Sequence, residues 1–174
     1  MNNGDGDGNV KLLSLTLVIS VIVILALGAE TNSISFTTSA QTIGKPFFEE
    51  KGKITGQKDI GINTTQISYT SNGTMNGNVP VTTSGNFVSI SKANNITYNH
   101  GQALITAKDG TEMANYTFLA VGKISEEGKP IFNGVSVYST NSTGKLEFLN
   151  NMVGIFKVEL DKMGNFVNKE WEWK

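Results

Sequence analysis

The side chains able to do acid–base or nucleophilic chemistry are few and badly placed for one another. His100 is the only histidine, and it starts a strand-like segment beside Gly101. A lone imidazole builds neither a multi-histidine metal centre nor a Ser–His–Asp triad, so it reads as a structural or surface residue. Glu49-Glu50 and Glu126-Glu127 are adjacent acids. Along a strand such neighbours face opposite ways, and both pairs read as solvated turn residues. Asp5-Gly6-Asp7 has too few oxygen ligands for a calcium loop and lacks the closing Glu. The glycine-rich stretches match no phosphate loop and no dinucleotide fingerprint. The chain has no Cys, which removes disulfides, thiolate catalysis and thiolate metal sites. The expectation is no catalytic residue, no metal and no cofactor.

Charge narrows the partners. Fourteen Lys face 15 acids, and the chain has no Arg. Nucleic-acid affinity needs excess positive charge, and base and phosphate recognition lean on bidentate Arg, so nucleic acid is not an expected partner.

Leu12 to Ala29 is an apolar run of 18 residues, LLSLTLVISVIVILALGA, behind a polar start whose only basic side chain is Lys11. Small residues at Gly28 and Ala29 before Glu30 fit cleavage of a signal peptide. The length equally fits a retained membrane anchor. Either way residues 30–174 are expected outside the cytoplasm, secreted or anchored to the outer face of the cell membrane, with residues 12–29 as the only membrane contact. Five glycosylation sequons, at Asn63, Asn72, Asn95, Asn115 and Asn141, accord with that placement. Residues 30–48 are rich in Ser and Thr and read as a tether, with one β-prone stretch at Ile34–Thr38. Pro46 marks the start of the folded body, and residues 49–174 form one domain.

From Glu49 onward short runs of β-branched and aromatic residues alternate with turn clusters. KGKITGQKDI, TQISYT, TMNGNVPVTT and NFVSIS come first, punctuated by Ser71-Asn72-Gly73 and Ser84-Gly85-Asn86. Asn72-Gly73 is a hairpin signal, since both residues tolerate positive φ. Pro80 assigns its strand to an edge or a bulge. GQALITAKDG, EMANYTFLAVG, PIFNGVSVYST, GIFKVEL and NFVNKEWEW follow, separated by turns at 108–110, 126–129, 141–144 and 161–165. Connections this short pair neighbours only antiparallel. The expected fold is all-β: an up-and-down meander of about 8–9 strands closed into a barrel, with at most one helical turn in Lys145–Met152. A two-sheet sandwich is the competitor, and its Greek-key crossings need longer connections.

Alternation also assigns faces. Phe156, Val158 and Leu160 alternate with Lys157 and Glu159, and Tyr116 and Phe118 alternate with Asn115 and Thr117. In KEWEW the two indoles, Trp171 and Trp173, are expected inward and the acids Glu170 and Glu172 outward. For Ile131–Ser139 both parities remain open, so Tyr138 is a conditional member of the inner set. The lumen candidates are therefore Tyr116, Phe118, Tyr138, Phe156, Trp171 and Trp173, with no charge among them.

The segments from KGKITGQKDI to GIFKVELDKMGNFVNKEWEW resemble a group of small, uncharacterised exported proteins whose layout is similar to calycin-like and allene-oxide-cyclase-like barrels. The resemblance spans about residues 49–174 and lies in strand layout and turn glycines. It implies a barrel around an apolar cavity and carries over no catalytic residue. Three functions stand open: a non-catalytic extracytoplasmic barrel holding a small neutral apolar ligand, a structural or interaction module of the cell surface with a solid core, and a lumen-based isomerase or cyclase. The third needs a polar inner group, for which Tyr116, Tyr138 and Gln102 are the nominees. The sequence leaves oligomeric state open.

Overall fold

A computed structural model of the chain describes residues 44–174. The apolar run 12–29, the stretch Ile34–Thr38 and most of the Ser/Thr-rich tether lie outside the described residues.

Eight strands run in chain order: β1 (Phe48–Gly61), β2 (Thr64–Met75), β3 (Val79–Ser91), β4 (Thr97–Ala107), β5 (Met113–Ile124), β6 (Pro130–Ser139), β7 (Val153–Leu160) and β8 (Asn165–Glu172). Each pairs antiparallel with the next, and β1 pairs with β8 from Phe48↔Glu170 to Lys53↔Asn165, so the sheet closes as an up-and-down barrel. Closure leaves no strand with an unpaired edge. Phe47 and Phe48 are already buried, which puts the start of the folded body just before residue 49.

The nine expected segments become eight strands because the first turns fall elsewhere. Ser71-Asn72-Gly73 lies inside β2 and Ser84-Gly85-Asn86 inside β3. The chain reverses instead at Asn76-Gly77, with φ of 49° and 75°. Gly73 and Gly85 serve close approach rather than reversal. A Cβ on Gly85 would stand 2.5 Å from Cζ of Tyr69, so only glycine lets that ring lie flat across the inner wall. Pro80 sits one residue into β3, paired with Thr74, and its strand is no edge.

The barrel has two unlike ends. At the end where β1 starts and β2 stops, Phe48, Met75, Val81, Ile105, Ala107 and Ala114 fill the interior. The β6–β7 connection plugs it. This connection carries a 3-10 turn, Glu147–Leu149, in the segment where one helical turn was expected, and Leu146 and Leu149 are fully buried. Phe47 meets Tyr138 and Phe148 edge-on at 5.8 and 6.3 Å between ring centroids. The Glu112 carboxylate holds the plug, accepting the amides of Lys145 at 2.9 Å and Leu146 at 2.8 Å.

Candidate ligand-binding site

Towards the opposite end the side chains stop short of filling the lumen. A cavity of about 190 Å³ remains, walled by Ile54, Ile67, Tyr69, Phe87, Tyr116, Phe118, Phe132, Phe156, Val158, Leu160 and Phe166. Gln57, Ser89 and Thr97 rim it near the β1–β2 and β3–β4 turns. Aromatic rings tile the wall: Phe118 packs on Phe87 and Phe156 with centroids 5.9 Å apart in each case, and Tyr69 meets Phe166 edge-on at 5.7 Å. Such offset and edge-on pairs are the preferred aromatic arrangements.

The inner parity of β5 and β7 is the one that alternation assigns. Tyr116, Phe118 and Ala120 face in from β5, and Phe156, Val158 and Leu160 from β7. On β6 the inward set is Phe132, Gly134, Ser136 and Tyr138, and Tyr138 lies between the cavity floor and the plug. Gln102 is exposed on β4 and takes no part.

On β8 the faces are the reverse of the expected ones. Phe166, Asn168 and Glu170 point inward, while Trp173 is 61% exposed and Trp171 lies on the outer surface, donating from Nε1 to the Gly44 carbonyl at 2.8 Å. Neither indole lines the lumen. Two things set this parity. Phe166 shares the phase of Glu170 and packs against Tyr69, and the lead into β1 crosses the outside of β8, where Trp171 covers it. The expectation of a lumen free of charge-bearing groups falls with it, because Glu170 is 1% exposed and Glu50, read as a solvated turn residue, is 4% exposed in β1.

These two carboxyls form the polar floor of the cavity. Ser71 Oγ donates to Glu50 Oε2 and Asn168 Nδ2 to Glu50 Oε1, the latter at 3.0 Å. Ser136 Oγ donates to Glu170 Oε1 and Tyr138 Oη to Glu170 Oε2, the latter at 2.7 Å. Beside them the hydroxyls of Tyr69 and Tyr116 meet at 2.8 Å. Burial pushes the Glu170 carboxyl up to about 8, against the lowering pull of Tyr138, with the neighbouring Glu50 adding to the rise. Burial likewise raises Glu50. Every Lys among the described residues is exposed, so no protein cation offsets the pair. A carboxyl without a counter-charge in an apolar interior holds its proton to a higher pH than a free one. Three buried polar atoms have no hydrogen-bond partner: the amide oxygens Oδ1 of Asn99 and of Asn168, and the hydroxyl Oγ1 of Thr83. Both asparagines line the cavity.

Chemically, the site is a small greasy chamber with a proton-bearing floor. Among the described residues no three His, Cys, Asp or Glu stand close enough to hold a metal ion. The sequon asparagines are all exposed. Asn63 and Asn95 lie in turns with φ of 56°, Asn141 in the β6–β7 connection, and Asn72 and Asn115 on the outer face of β2 and β5. His100 is exposed on β4.

No family model matches the chain, and a search of curated proteins finds no match. Solved structures do resemble it. A protein of unknown function from Clostridium acetobutylicum superposes with a TM-score of 0.63 at 13% identity, over 75% of this chain and 98% of its own. A conserved protein of unknown function from Rhodopseudomonas palustris gives 0.59 at 11% identity, over 74% and 95%. The likeness is one of fold. At such identity a shared barrel says nothing of a shared site.

Proposed function

We infer that the barrel is a binding protein for one small, largely apolar molecule held in its lumen. The observation that carries this reading is the cavity of about 190 Å³ with aromatic walls and one plugged end. A cavity of about 150 Å³ lined by apolar side chains suffices for a benzene ring, so the chamber suits a single ring with a short extension. Small barrels of this strand number hold one such ligand. The protein works outside the cytoplasm on this reading, supported by the apolar run 12–29 and by five sequon asparagines that a glycan could reach.

The test is purification of the protein from its own cells, followed by mass spectrometry of what denaturation releases. A bound one-ring or similarly sized compound is the expected finding. Ala120→Phe, which puts a ring into the chamber, should come out empty. Release of nothing, together with no uptake of benzene-sized probes by the native protein, overturns the reading.

A second reading, an interaction module of the cell surface, draws on the outer face of β4–β6. Tyr98, Leu104, Leu119, Val121 and Val137 stand 40–63% exposed there on neighbouring strands. Contiguous exposed apolar surface marks interaction sites. Light scattering of the native protein against Leu119→Lys separates the two: a loss of self-association in the variant favours the module, and an unchanged monomer favours the carrier.

A further inference from the structure

The floor of the lumen says more about the ligand than its walls do. Two buried amide oxygens lining the cavity accept no hydrogen bond, Oδ1 of Asn99 and Oδ1 of Asn168, in side chains 3% and 5% exposed. The orientation of Asn99 is fixed by its own donors, since Nδ2 reaches Thr97 Oγ1 at 2.9 Å and the carbonyls of Thr97 and Ala120. Asn168 is fixed in the same way by its bond to Glu50. A buried acceptor left unpaired costs about 1–3 kcal/mol, so a ligand that brings a donor gains what an apolar one forgoes.

We propose that the floor formed by Glu50, Asn168 and Glu170, with Asn99 on the wall above, receives the amino group of a small aromatic or aliphatic amine whose apolar body fills the chamber. This rests on the reading of the lumen as a ligand site and names the class of its ligand. An ammonium has three donors and no acceptor, which matches two unpaired amide oxygens and two buried carboxyls. It also supplies the one thing the interior lacks, a cation beside two carboxyls that no Lys approaches. Tyr69, Tyr116, Phe118 and Phe156 line the same chamber, and aromatic faces add an electrostatic attraction for a cation that a neutral hydrocarbon lacks. The chamber inside the rim takes a head and ring of about the size of 2-phenylethylamine.

Charge balance gives the binding step a signature. The amine arrives as an ammonium, the Glu170 carboxyl gives its proton to solvent, and the Glu170 carboxylate then faces the cation. The titratable groups facing Glu170 are Glu50 from β1, Tyr69 from β2 and Tyr138 from β6, with Tyr116 from β5 beside Glu50 and Tyr69, and burial keeps all three tyrosines protonated. Amine affinity therefore rises between pH 5 and pH 8, as the pair becomes easier to deprotonate.

Titration calorimetry on the full chain in zwitterionic lipid nanodiscs, with empty discs as the blank, tests this with 2-phenylethylamine, n-propylbenzene and 3-phenylpropanoate. The expected order has the amine at least tenfold tighter than propylbenzene, with phenylpropanoate weakest. The heat of amine binding at pH 7 should differ between phosphate and Tris in proportion to about one released proton. Glu170→Gln should erase the tenfold margin of the amine over propylbenzene. Should that variant not fold, the buffer dependence in the native protein decides alone. Equal binding of amine and propylbenzene, or amine binding without proton release, overturns the amine assignment and leaves the apolar carrier standing. Silence from all three probes overturns both.

Discussion

Asn168 and Glu50 lie 118 residues apart in sequence, yet the amide of one donates to the carboxyl of the other at 3.0 Å. The contact joins the last strand to the first from inside the barrel, next to the backbone pairing Glu50↔Asn168 that seals the sheet. Asn168→Ala removes the donor and leaves the Glu50 carboxyl one partner short in the interior. The expected loss is about 1–3 kcal/mol in denaturant unfolding, the cost of a buried group left unsatisfied. An unchanged midpoint would show that the backbone ladder alone closes the barrel.

Stability should fall as pH rises from about 4.5 to 8. Glu170 in the folded protein titrates near 8, well above the value of 4.5 for the free side chain, so the folded state holds a proton that the unfolded chain gives up across this window. The contribution is fully present below pH 4.5 and lost through pH 8, at up to about 1.4 kcal/mol per pH unit. Glu50 acts in the same direction. Asp109, Glu159 and Asp161 are held low by Lys145, Lys157 and Asn165, and they matter only below this window. Urea melts at pH 5 and pH 8 measure the effect, and Glu170→Gln should flatten it; a rise in stability toward pH 8 would contradict the buried, protonated floor.

Trp173→Ala should change stability by no more than about 0.5 kcal/mol, as for other exposed sites. Trp171→Ala should cost more, because it frees the lead into β1 from the outer wall. In the native protein acrylamide should quench Trp173 freely, and ligands in the lumen should leave both indoles almost unaffected. Blue-shifted emission protected from acrylamide would put the indoles back inside.

Glu112→Ala strips the plug of its two amide contacts at Lys145 and Leu146. Hydrogen bonds to a charged acceptor are worth about 1.5–3 kcal/mol, and a loss of that order is expected. Amide exchange at Leu146 and Leu149 should rise by more than exchange in β4, which the plug loop does not close. Uniform change across the barrel would mean that the plug has no separate stability.

What alternation reveals depends on how local the cause of burial is. Tyr116 and Phe118, or Phe156, Val158 and Leu160, announce their face because apolar side chains need only the interior to be buried. Glu170 announces nothing. Its burial is made possible by Ser136 and Tyr138, 34 and 32 residues earlier on β6, and no spacing within KEWEW encodes that. The signal that was present is Phe166, an aromatic in phase with Glu170 that two tryptophans outweigh. The same holds for the turns. Asn72-Gly73 and Asn76-Gly77 are equivalent hairpin signals by type, and the choice falls to packing: Gly73 lies where a Cβ would stand 2.8 Å from the Phe48 ring, and the Asn76 amide reaches the Phe47 carbonyl at 2.6 Å. Eight strands rather than nine follow from the extended backbone through Ser84-Gly85-Asn86, which lies inside β3.

A chamber plugged by Leu146 and Leu149 at one end is a cul-de-sac. Whatever enters goes in leading end first and backs out the same way, so the two ends of a guest are treated unequally. The deep end is measured against walls that do not yield, and a branch or an extra methyl there is refused. The trailing end lies at the rim of Gln57, Ser89 and Thr97 and meets only water. On the carrier reading proposed above, selection falls on width and head: in a series of guests grown one carbon at a time from the trailing end, retention should level off at the rim instead of collapsing.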